Sequence, residues 1–341
     1  MEVKRVSLII PCYNEGATVE EFFKRAKALA DSQPAYHFEF IFVNDCSTDK
    51  TGMLLNALAD RHPEVSVLHF AQNRGHQIAL TAGLDHASGD IMVTIDADLQ
   101  DPPEIISQML VKIQEGFDIV HAQRQIRKGE SGFKLFTSWL FYRLMRWFSD
   151  TRIIQNCGDF RAFNRPVREA MAEFRMPHRF LRGTFVQLGF RQCVIKYDRE
   201  ARHAGRTKYS LLKMIRLSID AMLGFSAVPV RIISCLSILL WVISLIYLIR
   251  ALFQHFILNL TVPGWTSIIA LMFFFTGLIL FSIAIIGSYV GRIFVQGQNI
   301  PLYWLSDARN VDFEDLDERT GDLREVRLSR RIIQRRGKRS E

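Results

Sequence analysis

Cysteine is scarce and unpatterned. The five in 341 residues, Cys12, Cys46, Cys157, Cys193 and Cys235, show neither C-x-x-C spacing nor a disulfide framework, and they read as reduced, mostly structural thiols. No zinc-finger or RNP-like pattern accompanies the formal net charge of +8. Nucleic acid is therefore set aside, and the excess Lys and Arg are read as facing anionic headgroups and phosphates. The apolar run in "MEVKRVSLIIP" is too short for a signal peptide. Internal repeats and low-complexity segments are missing as well. Charge is missing altogether from Ile232 to Ile249 (18 residues) and from Trp265 to Val290. A bilayer core takes roughly 20 apolar residues, so both stretches are expected to be transmembrane helices, the first only just long enough. Two buried helices of a soluble core fit less well, since those are usually shorter and carry polar edges.

Basic residues set the orientation. Arg231 precedes the first span, Arg292 follows the second, and "RLSRRIIQRRGKR" ends the chain, whereas 251–264 has no Lys or Arg. Arg250 weakens the contrast, but the positive-inside rule still places both long ends in the cytoplasm. The expected division is a catalytic-type domain over 1–225, a two-helix hairpin over 226–295 and a tail over 296–341, whose last 30 residues turn acidic and then basic.

What is present is alternation. "RVSLIIP", "FEFIFVND", "VSVLHF" and "IMVTID" read as strands, separated by the helical patterns "GATVEEFFKRAKALADS", "KTGMLLNALADRH" and "QIALTAGLDHAS". This order predicts an α/β fold with a doubly wound, mostly parallel sheet that binds ligands at the carboxyl ends of its strands. After Asp118 the pattern loosens. "GFKLFTSWLFYRLMRWFSD" is either an interfacial helix or a core helix with edge charges, and "SLLKMIRLSIDAMLGFSAVP" is a second candidate interfacial helix.

Polar groups gather at the strand ends. "TIDADLQDPP" carries Asp96, Asp98 and Asp101 beside Gln100, and carboxylates that close repel unless a cation sits among them. Oxygen donors suit Mg²⁺ or Mn²⁺, ions that usually also bind substrate phosphates, so the expected cargo is a diphosphate. Alone, D-x-D is as easily a solvated or capping pair, and Asp101 before two prolines reads as a turn or helix-start residue. In "PCYNE", Pro11, Tyr13 and Glu15 are placed to shape a nucleoside pocket. In "NDCSTD", Asp45 is a candidate acceptor for a base or ribose, while Ser47 and Asp49 read as turn and capping groups. In "QNRGH", Arg74 is a candidate phosphate contact and Gly75 permits close backbone approach.

The ordered set "IIPCYNE", "VNDCSTD", "NRGH", "DADLQDPPE", "GDFRAFNR" and "HAGRTKYS", followed by paired spans, resembles the membrane-anchored family 2 glycosyltransferases of the GT-A fold that charge polyprenyl phosphates. The likeness covers about residues 5 to 295, and "GDFRAF" favours the bactoprenol glucosyltransferase branch over the dolichol-phosphate mannosyltransferases. The resemblance implies inverting transfer of a hexose from a nucleotide diphosphate sugar, UDP-glucose in the first instance, to a polyprenyl phosphate such as undecaprenyl phosphate. GDP-mannose, a UDP-N-acetylhexosamine and an amino-arabinose donor stay open, as does a homo-oligomer. It implies Asp159 as the catalytic carboxylate, Asp45 on the base, Asp96 on ribose or metal, and Asp98 with Gln100 on the metal. Arg124, Arg127, Lys134, Arg202 and Lys208 become phosphate binders near donor and acceptor. The implied location is a bacterial inner membrane. A processive synthase would call for a Q-x-x-R-W motif and more spans; "IIQRRGK" lacks the Trp. A membrane scaffold has no reason to keep acidic, basic and Gly groups at successive strand ends, and two spans without an embedded charge offer a transporter subunit a poor solute path.

Overall fold

Alternation along the first strand decides the layering. In β1 (Lys4–Cys12), Val6, Leu8 and Ile10 face one apolar cluster and Ile9 the opposite one. β2 (Tyr36–Asn44) repeats the division, with Phe38, Phe40 and Phe42 on one side and Ile41 and Val43 on the other. A strand buried on both faces needs a helical layer on each. In this computed structural model the described residues are 3–125, 157–175, 181–198, 264–298 and 300–311, with the isolated positions Ile233, Leu239, Val242 and Ile246.

The remaining elements are α1 (Val19–Asp31), α2 (Thr51–Arg61), β3 (Val65–Phe70), α3 (His76–His86), β4 (Ile91–Thr94), α4 (Ile106–Gln114), β5 (Ile119–Arg124) and β6 (Cys157–Asn164). They continue with α5 (Arg165–Ala172), α6 (Leu181–Gln187), β7 (Gln192–Tyr197), α7 (Trp265–Gly297) and β8 (Leu305–Arg309). Phe22 and Phe23 of α1, Leu55 of α2 and Met109 of α4 pack on one face of the sheet. Ile78 and Leu80 of α3, Val167 of α5 and Phe185 of α6 pack on the other. Each such side chain contributes roughly 1.5–3 kcal/mol on burial.

The sheet order is β7-β5-β6-β4-β1-β2-β3-β8. β1, β2, β3 and β4 are mutually parallel, as are β5 and β7, whereas β6 runs antiparallel to β4 and β5. This mostly parallel, Rossmann-like sheet is the expected α/β architecture. β8 is not foreseen in the sequence. Residues 300–311, at the head of the expected tail, return to the sheet and pair β8 antiparallel with β3. The Tyr303 ring stacks on Phe70 at 5.3 Å and its hydroxyl donates to Asp85 Oδ2 at 3.0 Å. An otherwise open edge is thereby covered.

α7 is a long, predominantly apolar helix. Its 33 residues extend the expected span seven residues past Val290, and Phe274–Gly297 averages a hydropathy of 2.1 with none of it buried. Among the described residues it is the one helix long and apolar enough to cross a membrane. The first expected span falls outside the described residues except for Ile233, Leu239, Val242 and Ile246, each helical. The two candidate interfacial helices fall outside them too, as do the last 30 residues.

Candidate active site

The site is built at the carboxyl ends of the four parallel strands. Pro11 lies beyond Ile9–Thr94, the last β1–β4 pair, where its missing N–H leaves that ladder intact. Tyr13 follows it, exposed. The loops after β1 and β2 are laced together. The Asn14 amide donates to Ser47 Oγ at 3.0 Å, Gly16 N to Asp49 Oδ2 at 3.1 Å, and Glu15 N to Thr51 Oγ1 at 2.9 Å. Asp49 Oδ1 also accepts from Thr51 N at 3.0 Å at the start of α2, so Ser47 and Asp49 are the turn and capping groups their sequence suggests.

Asp45 holds the next loop. Its carboxylate accepts from the backbone amides of Arg74 (2.6 Å) and Gly75 (2.9 Å). Gly75 sits at φ +89°, a left-handed conformation that aims both amides at one acid. Burial pushes the Asp45 carboxyl up, and the two amides pull it back. With the Gln72 amide turned so that its oxygen faces the guanidinium, Arg74 Nη2 and Nε donate to it at 2.6 and 2.9 Å.

The acid cluster follows β4. Leu99, at φ +60°, turns the backbone so that Asp98 Oδ1 accepts from Gln100 N at 3.1 Å. Asp96 Oδ1 lies 3.6 Å from His76 Nε2, and the same nitrogen lies 3.1 Å from Asp159 Oδ2. Asp159 reaches this corner because β6 is antiparallel: Thr94, the last residue of β4, pairs with Arg161, and its hydroxyl donates to the Asp159 carbonyl at 2.5 Å. Around the Asp159 carboxylate, Arg182 is bidentate, Nε to Oδ1 and Nη2 to Oδ2, both 3.0 Å. Gln77 Nε2 donates to Oδ2 at 3.2 Å, and Arg161 Nη2 stands 3.6 Å from Oδ1.

Charge states follow from these contacts. Burial works against the His76 imidazolium, but Asp96 and then Asp159 outweigh it and raise its pKa to about 9. Burial raises Asp96, with His76 opposing. Burial likewise works against the Asp159 carboxylate, yet Arg182 and His76 hold it well below the usual range. Arg161, buried and stacked at 4.4 Å on the Phe185 ring, is drawn down to about 10 by burial despite Asp159.

Asp101 stands in a bend just before the 3-10 turn Pro103–Ile105, as its turn or helix-start reading expects. It is also a buried acid that accepts from Arg124 Nη2 at 2.8 Å and Tyr197 Oη at 2.5 Å, which its sequence did not announce. Arg124, expected on phosphate, is held by this pair, since its Nε also donates to Tyr197 Oη at 3.1 Å. Gly158 makes room for it: a Cβ there would stand 2.8 Å from Arg124 Nη2. Arg127, Lys134, Arg202 and Lys208 lie outside the described residues.

The donor set determines what ion fits. Among the described residues no three His, Cys, Asp or Glu side chains converge as a closed metal cage. Asp98 is partly exposed with one oxygen on Gln100 N, and Asp96 is shared with His76. One or two carboxylate oxygens at an open corner fit a hard divalent cation that completes its shell with phosphate and water. Sequence reasoning missed the roles of His76, Gln77, Arg161, Arg182 and Tyr197. His76 and Gln77 directly follow "NRG" and carried a local signal; Arg182 carried none.

Residues 7–171 match the Glycosyl transferase family 2 model. A Bacillus subtilis protein described as an uncharacterized glycosyltransferase, YkcC, is 38% identical over 306 residues, 90% of this chain and 94% of its own. The bactoprenol glucosyl transferase of Shigella phage SfV is 33% identical over 305 residues, 89% of this chain and 99% of its own. Mannosyl-3-phosphoglycerate synthase from Rubrobacter xylanophilus aligns over 64% of this chain and 71% of its own at 18% identity and a TM-score of 0.46. The fold, the acid corner and the near full-length relatives define a glycosyltransferase. The chain belongs to glycosyl transferase family 2.

Proposed function

We propose that this enzyme transfers a hexose, with inversion, from a nucleotide diphosphate sugar to a polyprenyl phosphate at the cytoplasmic face of a membrane, with UDP-glucose as donor and undecaprenyl phosphate as acceptor. The observation that carries the reading is the match to the bactoprenol glucosyl transferase, which spans 99% of that relative. The long exposed apolar helix suits a lipid-linked acceptor.

Pro11, Tyr13 and Glu15 shape the nucleoside pocket, Asp45 meets the base, and Asp96 the ribose or metal. Arg74 lies toward the phosphates. Asp98, with Asp96 and Gln100, would hold Mg²⁺ or Mn²⁺. When bound, such an ion neutralises charge on the departing diphosphate. The acceptor is a phosphate monoester with a second pKa of roughly 6, so it reaches the site largely ionised and scarcely needs a base. Asp159 therefore orients and balances charge. Arg127, Lys134, Arg202 and Lys208 would bring the lipid phosphate to the interface, where basic residues gain from anionic surroundings.

The test is incubation of the purified protein with undecaprenyl phosphate and a panel of nucleotide sugars, followed by mass spectrometry of the lipid. Glucosylated lipid phosphate from UDP-glucose is expected. Product from another donor replaces the sugar assignment, and no lipid product from any donor overturns the reading.

A further inference from the structure

Asp159 stands where a proton acceptor would be sought, yet its oxygens are already engaged. Oδ2 faces Arg182 Nη2, His76 Nε2 and Gln77 Nε2 at 3.0, 3.1 and 3.2 Å, and Oδ1 takes Arg182 Nε at 3.0 Å with Arg161 at 3.6 Å. A carboxylate offers about four lone-pair sites. Oδ1 keeps one such site, but the Arg161 guanidinium lies 3.6 Å from it, whereas a general base needs a site open toward the nucleophile. The carboxylate is also recessed, its side chain 7% exposed, while two of its partners, His76 and Arg182, are each 40% exposed. Asp96, 32% exposed, lies 3.6 Å from His76, so the fixed positive charge that the cluster presents is the Arg182 guanidinium.

Arg182 is held in place from two sides. Its Nε and Nη2 point at Asp159, which leaves three of the five guanidinium N–H groups for a ligand. The start of α6 is fixed by Gln77, whose Oε1 accepts from Leu181 N at 3.1 Å while its Nε2 donates to Asp159. A planar fork fixed along one edge offers the other to a phosphoryl group with little ordering cost.

We propose that Arg182, flanked by His76, binds the phosphate monoester of the lipid acceptor, and that Asp159 is a positioning residue acting through Arg182 rather than a proton acceptor. The inference rests on the acceptor class proposed above. A phosphate dianion that attacks the anomeric carbon needs fixed positive charge more than it needs deprotonation. Its oxygen forms the bond to that carbon as the diphosphate oxygen leaves with the bonding electron pair, and no proton passes to Asp159.

The experiment compares wild type, Arg182→Gln, Arg182→Lys and Asp159→Asn. KM is measured separately for undecaprenyl phosphate and UDP-glucose, a pH–rate profile is recorded, and farnesyl phosphate is titrated calorimetrically without donor. For Arg182→Gln the acceptor KM and the farnesyl phosphate Kd should rise about 10- to 100-fold, the scale of a charge-assisted hydrogen bond. The donor KM should stay within about threefold, and Arg182→Lys should recover part of the loss. Asp159→Asn should reproduce the acceptor-side defect and leave the acid limb of the profile in place. An unchanged Kd in Arg182→Gln overturns the inference, as does an Asp159→Asn enzyme that loses kcat and the acid limb at normal acceptor KM. If Arg182→Gln fails to fold, the acceptor–donor split in Arg182→Lys decides alone. Wild-type transfer to no polyprenyl phosphate would refute the parent reading instead.

Discussion

Replacing Asp101 with Ala strands a buried cation. Asp101 is 1% exposed, and its partner Arg124 retains 25% exposure, so the guanidinium has little water to replace the lost carboxylate. Removing one member of a buried pair costs about 3–5 kcal/mol, mostly the penalty of the uncompensated charge. The Tyr197 hydroxyl bond to Asp101 accounts for roughly 1.5–3 kcal/mol of that scale, which Tyr197→Phe isolates. With each kcal/mol shifting Tm by about 2–4 °C in a domain of this size, Asp101→Ala should lower Tm on the order of 10 °C. The assay is thermal unfolding of the detergent-solubilised protein followed by near-ultraviolet circular dichroism. The decisive comparison is Asp101→Ala with Arg124→Met, which removes the stranded charge and keeps an apolar stem. That double variant should be more stable than Asp101→Ala alone. A Tm for Asp101→Ala within about 2 °C of wild type, or strictly additive losses in the double variant, would refute the buried-pair argument.

Asp98→Ala should reduce transfer at least about a hundredfold while leaving Tm within about 2 °C, because its partly exposed carboxylate has a single backbone donor behind it; EDTA should likewise stop the wild type, with Mn²⁺ restoring turnover. Tyr303→Ala should cost about 3–5 kcal/mol in a denaturant titration, since it removes both the stacking on Phe70 and the hydrogen bond to Asp85 that fix the β8 segment. His121, buried against Gln192, has its pKa pushed down to about 4 by burial and then by Arg161. The unfolded chain, with a His pKa near 6.5, then binds the extra proton below that pH, so stability is unaffected above about 6.5 and falls by about 3 kcal/mol on descent to pH 4. His121→Asn should flatten the Tm–pH curve by about one proton over that window.

Local signals made the first half of the sheet legible. β3 begins and ends where "VSVLHF" does, and α1 and α2 fall within their periodic segments, because strand and helix periods are set by neighbouring residues. The polar residues after β1, β2, β3 and β4 were legible as a group for a topological reason: parallel strands carry all their carboxyl ends to one side. Burial of individual acids was not. Asp101 before two prolines looks like a helix-start residue, and nothing nearby announces that Arg124 and Tyr197, 23 and 96 positions on, will pair with it. β8 was hidden too: its residues "LSDAR" carry little strand preference, and the edge of β3 supplies the pairing.

The reversal at β6 explains why the centre of the site was the least legible part. A rule that looks past the carboxyl end of each strand finds Asp45, Arg74, Asp96 and Asp98, but Asp159 is the third residue of its own strand. Because β6 runs against β4, that early position lies beside Thr94 and thus beside the acids that follow β4. Arg182 then arrives from α6, which packs through Phe185 on Phe163 of the same strand, so one antiparallel pairing carries both the acid and its cation to the corner. Neither residue has a motif that specifies the other. Their pairing is a property of sheet order, and it turns a lone aspartate at a glycine into a recessed anion with Arg182 and His76 open above it.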